Sequence, residues 1–177
     1  MHCGHSLLSA LTDSVEARRY LDEAYNNEFK RKVLEEGLWR FALRSQMLSA
    51  ETSFTPGIDG GYVNAFLKGT DWVRTAAICS DQYFRTPLLH YQDEGDYLYA
   101  DLDEIYVRFV SDDDSYGGDL SKWPASFHEY ASAALAGKIV RKLTSDKEMV
   151  DYLLHPRTGL IDTYLSTSYV SRENRPT

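Results

Sequence analysis

The sequence predicts an α+β fold, in which a mainly helical bundle carries an inserted β-hairpin or small antiparallel sheet. Apolar residues recur at three- and four-residue steps near both ends of the chain, which is typical of amphipathic helices. Between them lie short aromatic and β-branched runs, separated by Gly or Asp, which are typical of strands. The length of 177 residues suits a single domain.

The N-terminal part, 13–50, is predicted to contain two helices. Asp13 and Glu16 have the spacing of a capping box, so the first helix should begin there. It should end near Gly37, because glycine is a common residue just after a helix. The run that follows, LWRFALRSQML, has a helical spacing of apolar residues and predicts a second, shorter helix.

The middle part, 61–111, is predicted to form the β insertion. Its strand-like runs are YVNAFL, DWVRTAAICS, PLLHYQ, DYLYADL and EIYVRFV. The last two runs predict a hairpin that turns near Asp101–Glu104. In the last run Arg108 separates Val107 from Phe109, so one face of the sheet should be more polar than the other.

Helices should return over 123–169, because Pro124 is suited to a first helical turn. The residues from Tyr130 to Gly137 carry no charge and are mostly small. Such a surface lets helices approach closely, either inside the subunit or between copies, and the sequence leaves both possibilities open. The candidate contact residues are Ala131, Ala133, Ala134, Ala136 and Gly137. The last residues, 170–177, are expected to form a flexible arm.

Four aromatic residues are predicted to belong to the core. Trp39 and Phe41 lie near the end of the first helical region, and Trp123 and Phe127 lie near the start of the later one. Large aromatic side chains at helical spacing usually pack in a core. A surface on which nucleic-acid bases stack is the alternative.

The net charge of −8 comes from one segment. Residues 81–119 include eleven acidic and two basic residues, so the rest of the chain is almost balanced. Such a segment cannot bind nucleic acid by neutralising phosphates, which requires clustered Lys and Arg. The run Asp112, Asp113 and Asp114 could repel nucleic acid, attract a basic partner, or simply be a solvated face.

The sequence predicts no catalytic, metal-binding or cofactor-binding residue, and no membrane span. The start HCGH has three possible zinc ligands but lacks a fourth at a usual spacing. The run SDDDSYGGDL has Tyr116 where an EF-hand loop needs an oxygen ligand. The common hydrolase, phosphate-loop and dinucleotide motifs do not occur. An enzyme with residues assembled from distant positions is the alternative.

Four successive patterns resemble the head-to-tail adaptor family of tailed bacteriophages, also described as head-completion or connector proteins of the tail tubular protein A type. They are an opening helix that leads into WRFA (Trp39–Ala42), the short run DWVR, the segment DEGDYLYADLDEIYVRFVSD, and the segment WPASFHEYASAALAGKIVRKLTSDKEMVDYLL. Together they cover approximately residues 8–165. Their order is more specific than any one of them.

The resemblance implies a structural virion protein without enzymatic activity. Such proteins form a ring, usually of twelve copies, that docks under the portal, extends the DNA channel without specific DNA binding, and offers a platform to the next tail or stopper protein. The chain would then reside in the host cytoplasm before assembly and in the virion neck afterwards. Residues of a C-terminal arm that could dock on the portal are Arg172, Glu173, Asn174, Arg175, Pro176 and Thr177.

Two other functions remain open at this point. A stopper or tail-completion ring further down the neck would need similar surfaces. A small hydrolase acting on cell wall or nucleic acid would instead need converging ionisable groups.

Overall fold

The protein is described by a computed structural model, which covers residues 16–26, 29–53, 61–143 and 147–154. The chain divides into two compact units. The helical unit contains the described residues up to Phe41 and from Leu120 onwards, and the β unit contains those of Ala42–Asp119.

The helical unit is arranged around one long helix. Its helices are α1 (Glu16–Asn26), α2 (Phe29–Glu35), α3 (Ala125–Leu143) and α4 (Lys147–Leu154). Helix α3 contacts each of the other three. Phe127 and Val140 of α3 are fully buried, as is Leu34 of α2. Burial of α3 on several sides explains why its sequence lacks a regular polar stripe.

Within its described residues, the β unit consists of two three-stranded antiparallel sheets. Its strands are β1 (Leu43–Ser49), β2 (Asn64–Leu67), β3 (Trp72–Cys79), β4 (Gln92–Glu94), β5 (Tyr97–Ala100) and β6 (Glu104–Ser111). The first sheet has the order β1-β6-β3, and the second has the order β2-β5-β4. Phe66 and Leu98 of the second sheet share one hydrophobic cluster with Phe109 and Trp72 of the first. The Trp72 and Phe109 rings stack with their centroids 3.9 Å apart.

The predicted fold class, a mainly helical bundle with one hairpin or small sheet, is wrong. Six strands form two sheets, and the hydrophobic cluster between them is made entirely of residues from the β unit. The strands contain three to eight residues each, so the pattern of apolar residues in a single strand predicts its structure only weakly. Their pairing across long sequence separations is what makes them a substantial β structure.

The second predicted helix is also wrong over Leu43–Ser49, which form β1. This strand pairs residue by residue with β6, from Leu43 opposite Val110 to Ser49 opposite Glu104. Leu48 is buried, whereas Met47 is 47% exposed, as a half-buried strand requires. Pairing with β6 therefore overrides a helical spacing that extended over only a few apolar residues.

The predicted hairpin between β5 and β6 does not form, because these strands belong to different sheets. The chain turns the corner at 101–103, where Val63 N–H donates to the Asp101 carboxylate at 2.9 Å. The hairpin is instead between β4 and β5, where Gly95 has φ of 54°, a conformation that glycine adopts without strain. The run PLLHYQ contributes an isolated bridge at Pro87 and the first residue of β4.

The alternation predicted for EIYVRFV is confirmed over Ile105–Phe109 of β6, but not at Val110, which is fully buried. Ile105, Val107 and Phe109 are buried in the core, whereas Tyr106 and Arg108 are half-buried on the other face. Several other predictions concern parts of the chain outside the described residues: the Asp13 cap, the HCGH segment, the end of the C-terminal helices and the flexible arm.

Candidate interaction surfaces

An aromatic cluster brings two distant parts of the sequence together in the helical unit. The Phe127 ring centroid lies 4.6 Å from that of Trp39, 4.9 Å from that of Phe41 and 4.7 Å from that of Trp123. Trp39, Trp123 and Phe127 are buried, and Phe41 is half-buried. The Trp39 Nε1–H donates to the Leu34 carbonyl at 3.1 Å, so its one polar group is satisfied.

The small residues of α3 lie mostly inside the helical unit. Ala131, Ala133 and Ala136 are buried, while Ala134 and Gly137 are half-buried. Packing within the subunit therefore accounts for the first three residues. The half-buried Ala134 and Gly137 keep some accessible surface.

The acidic run follows directly after β6 and forms a tight loop. Asp113 and Asp114 are exposed, and Asp112 is half-buried. The Asp113 carbonyl accepts the N–H groups of Tyr116 at 2.8 Å and Gly118 at 2.9 Å. A Cβ at Gly118 would lie 2.8 Å from the Asp113 carbonyl carbon, so the close approach requires glycine. The loop thus has a defined backbone conformation.

A polar network attaches this loop to the first sheet. The Asp71 carboxylate accepts the Arg44 guanidinium at 2.8 Å and also the Ser111 hydroxyl, which is fully buried. The Asp113 N–H in turn donates to Ser111 Oγ at 3.2 Å. Hydrogen bonding to Asp71 raises the pKa of the Arg44 guanidinium, although burial opposes this shift. The sequence gives no sign of this network, because its members are far apart along the chain.

A second carboxylate organises the loop after β3. Asp81 accepts the backbone N–H groups of Tyr83 at 2.9 Å, Arg85 at 3.1 Å and Thr86 at 2.6 Å. Partial burial opposes ionisation of Asp81, but these three donors together outweigh it and hold the pKa of the carboxyl below its usual value. The Asp81 carboxylate therefore holds the backbone of this loop together through three hydrogen bonds.

The same loop presents apolar side chains to solvent. Tyr83 is 69% exposed and Leu89 is 82% exposed. Between them Phe84 adopts φ of 56°, which is unusual for a residue with a side chain. The Arg108 guanidinium lies 4.4 Å from the centroid of the Phe84 ring and fixes it against the first sheet. Scattered exposed apolar residues are common and do not define a binding site alone.

Cys79 is the one cysteine within the described ranges. Over those ranges, no group of three or more His, Cys, Asp or Glu side chains is placed to hold a metal ion. Cys79 is buried, and burial raises the pKa of its thiol. None of the helices within the described ranges has the length and apolar character of a membrane span.

No family model matches the chain, and neither does any curated protein. The six predicted arm residues, 172–177, lie outside the described part of the chain. The structure brings together the predicted aromatic residues and places the three aspartates in one loop. The sequence did not point to the Arg44–Asp71–Ser111 network or to the edge formed by β1.

Proposed function

We propose that this chain is a head-to-tail adaptor of a tailed bacteriophage. Copies of it form a ring under the portal, extend the DNA channel and provide a platform for tail attachment. The protein works through its surfaces and makes or breaks no covalent bond. Its partners are further copies of itself, the portal protein and the next tail or stopper protein.

The main support is the meeting of two separate patterns from the sequence resemblance. WRFA contributes Trp39 and Phe41, and WPASF contributes Trp123 and Phe127, and these residues form one packed cluster. The β unit, Ala42–Asp119, is the segment that lies between these two patterns in the sequence. Two of the four patterns therefore contribute to one packed cluster, and this supports the proposal.

The charge distribution is also compatible with a DNA conduit. Between 42 and 119 the chain has fourteen acidic and five basic residues. A surface of this sign does not retain a duplex by phosphate contacts, because like charges repel most strongly in a confined and poorly screened space. Passing DNA would therefore encounter no specific binding site on this unit.

Electron microscopy of the purified protein mixed with the portal protein of the same phage tests the proposal. We expect closed rings of this chain on one end of the portal, usually with twelve copies. The chain alone is a necessary control, since many ring proteins remain monomeric until a partner templates assembly. An absence of portal binding, combined with hydrolysis of cell-wall or nucleic-acid substrates by the pure protein, would contradict the proposal.

A further inference from the structure

The loop after β3 is the end of a short hairpin. Residues 86–88 run back along the end of β3, where Leu88 N–H donates to the Ile78 carbonyl at 2.9 Å. An isolated antiparallel bridge between Cys79 and Pro87 continues this pairing. Three exposed residues beyond Asp81 form what we call the hairpin tip: Gln82, Tyr83 and Arg85.

The backbone of the hairpin tip is held in place by the protein itself. The Asp81 carboxylate accepts three N–H groups of the loop, and Ser80 N–H donates to the Thr86 carbonyl at 3.1 Å. Phe84 turns back with φ of 56°, and the Arg108 guanidinium lies 4.4 Å from the centroid of its ring. A left-handed conformation at such a residue persists only where its surroundings enforce it. Because the tip is already ordered, binding a partner costs little further conformational entropy.

Arg85 is placed differently from two other cations of the β unit. Lys68 and Arg44 each form an ion pair with an aspartate, at 2.6 Å and 2.8 Å respectively. Among the residues that the structure describes, the Arg85 guanidinium contacts only the Tyr83 ring, 5.5 Å from its centroid, and has no carboxylate partner. The unit has fourteen acidic and five basic residues, so carboxylates are abundant. Arg85 is thus an unpaired cation on an exposed tip of an acidic unit.

The side chains of the hairpin tip are of the types that recognise protein surfaces. Tyr and Arg are enriched among the interface residues that contribute most to binding. Tyr83 is 69% exposed, so its ring is free to enter a recess. A guanidinium forms two parallel hydrogen bonds with one carboxylate, which fixes orientation as well as charge. The tip therefore fits an apolar recess that has an Asp or Glu at its rim.

We propose that the hairpin tip docks on another virion protein, which receives Tyr83 in an apolar recess and Arg85 on a carboxylate at the rim. This inference rests on the proposed function, because it names a contact between the adaptor and a neighbouring component. The contact is separate from the predicted C-terminal arm, 172–177.

Charge favours this partner over a nucleic acid or a second copy. The β unit has nine more acidic than basic residues. The unit repels a duplex, and one arginine neutralises too little phosphate to retain it. The β unit of a second copy would offer many carboxylates, but two such units repel each other. A neighbour that is acidic at one point and otherwise uncharged or basic meets both requirements.

Complementation in vitro tests the inference. Phage particles made without this chain are supplied with the purified full-length protein, and infective particles are counted as a function of its concentration. Arg85→Gln and Tyr83→Ala should each raise the half-maximal concentration at least about tenfold relative to the wild type. Neither variant removes an N–H that Asp81 accepts, so the loop should remain intact.

Matched variants separate the contact from general effects. Arg74 is an exposed arginine of the same unit, so Arg74→Gln changes the net charge equally and should leave complementation unchanged. Tyr83→Phe keeps the ring and should retain most of the activity. Circular dichroism and urea unfolding verify that each variant has the stability of the wild type, as expected for exposed side chains.

Suppressors of a charge reversal identify the partner. In phage that carry Arg85→Glu, the new carboxylate faces the carboxylate of the recess and repels it. Second-site suppressors should therefore replace an Asp or Glu of another virion protein by Lys or Arg. Suppressors at carboxylates of this chain would instead assign the tip to a second copy, and restoration only by reversion at position 85 would exclude a carboxylate partner.

The complementation results can also overturn the inference. If Arg85→Gln and Tyr83→Ala act like the wild type, the tip makes no important contact, while the proposed function stands because the wild-type chain still restores infectivity. An equal loss in Arg74→Gln would show a general effect of charge. Full infectivity of particles that lack the chain would contradict the proposed function, and this inference with it.

Discussion

At the scale of single residues, Asp71 joins three segments of the β unit. Its carboxylate accepts the Arg44 guanidinium from β1 and the Ser111 hydroxyl at the end of β6. The side chain of Asp71 is only 16% exposed, so water replaces these contacts poorly if they are lost. The acidic loop therefore depends on a carboxylate that lies forty residues earlier in the sequence.

Asp71→Asn should lower the free energy of unfolding by about 1–3 kcal/mol. The amide removes the ion pair with Arg44 and weakens the acceptor of the Ser111 hydroxyl. Urea unfolding followed by circular dichroism measures the change. Asp96→Asn, at an exposed residue in the β4–β5 turn, should change stability by less than about 0.5 kcal/mol. Equal effects of the two substitutions would contradict the role given to Asp71.

The stabilising effect of the Asp81 carboxylate should depend on pH in a defined direction. Its pKa in the folded protein is lower than in the unfolded chain, where about 3.9 is usual. Its contribution is therefore fully present above the unfolded pKa and is lost as the pH falls through the folded pKa. Asp81→Asn should be less stable than the wild type at pH 7, and the difference should shrink on acidification below pH ~4. Urea unfolding across this range measures it, and a pH-independent difference would contradict the assignment.

At the scale of elements, β1 shows where sequence interpretation reaches its limit. The apolar residues of LWRFALRSQML fit a helix, yet Leu43–Ser49 form a strand because β6 offers a continuous partner. That pairing joins residues more than fifty positions apart, and local spacing contains no information about it. In β6, by contrast, alternation was sufficient over Ile105–Phe109, where one face is buried and the other is half-buried.

The aromatic cluster should dominate the stability of the helical unit. Phe127 is fully buried among Trp39, Phe41 and Trp123, so Phe127→Ala should lower the free energy of unfolding by about 3–5 kcal/mol. Phe127→Leu leaves a smaller cavity and should cost less. Thermal and urea unfolding provide the measurement. Tyr152→Ala on α4, where the side chain is 56% exposed, is the matched surface control. A small effect at Phe127 would contradict the packing described.

The C-terminal arm is a predicted portal contact that a truncation can test. A chain ending at Val170 lacks Arg172 and Arg175, which could pair with carboxylates on the portal. We expect about tenfold weaker binding to filled heads, measured by co-sedimentation. The full-length double variant Arg172→Ala, Arg175→Ala separates the loss of charge from the loss of length. Unchanged binding of the truncated chain would remove the arm from the account.

At the scale of the whole molecule, the order of helices, strands and helices could be predicted, but its division into two units could not. The periods of apolar residues predicted the type of α1 and β6, and Pro124 indicated the start of α3. The partition of the strands into two sheets depends on contacts such as Asn64 with Leu102, which fix the corner between β5 and β6. Such corners involve single polar residues in otherwise ordinary turns.

Removing the charge of the acidic loop should lower the infectivity of the phage and leave the fold of this chain unchanged. Asn at 112, 113 and 114 removes three negative charges while an amide oxygen at 113 can still accept the Ser115 N–H. We expect ring assembly on the portal to be unchanged and infectivity to fall, because DNA passage or tail attachment loses its electrostatic component. Plaque titration and particle counts measure this effect. Normal infectivity of the triple variant would show that the cluster is merely solvated.

Whether this chain lies at the head-tail vertex of mature phage particles tests the central claim most directly. Electron microscopy of purified particles, at a resolution that distinguishes the side chains of Trp39, Trp123 and Phe127, would identify the subunit at the head-tail vertex. The account predicts a closed ring of this chain between the portal and the next tail component. A vertex built without this chain would contradict it.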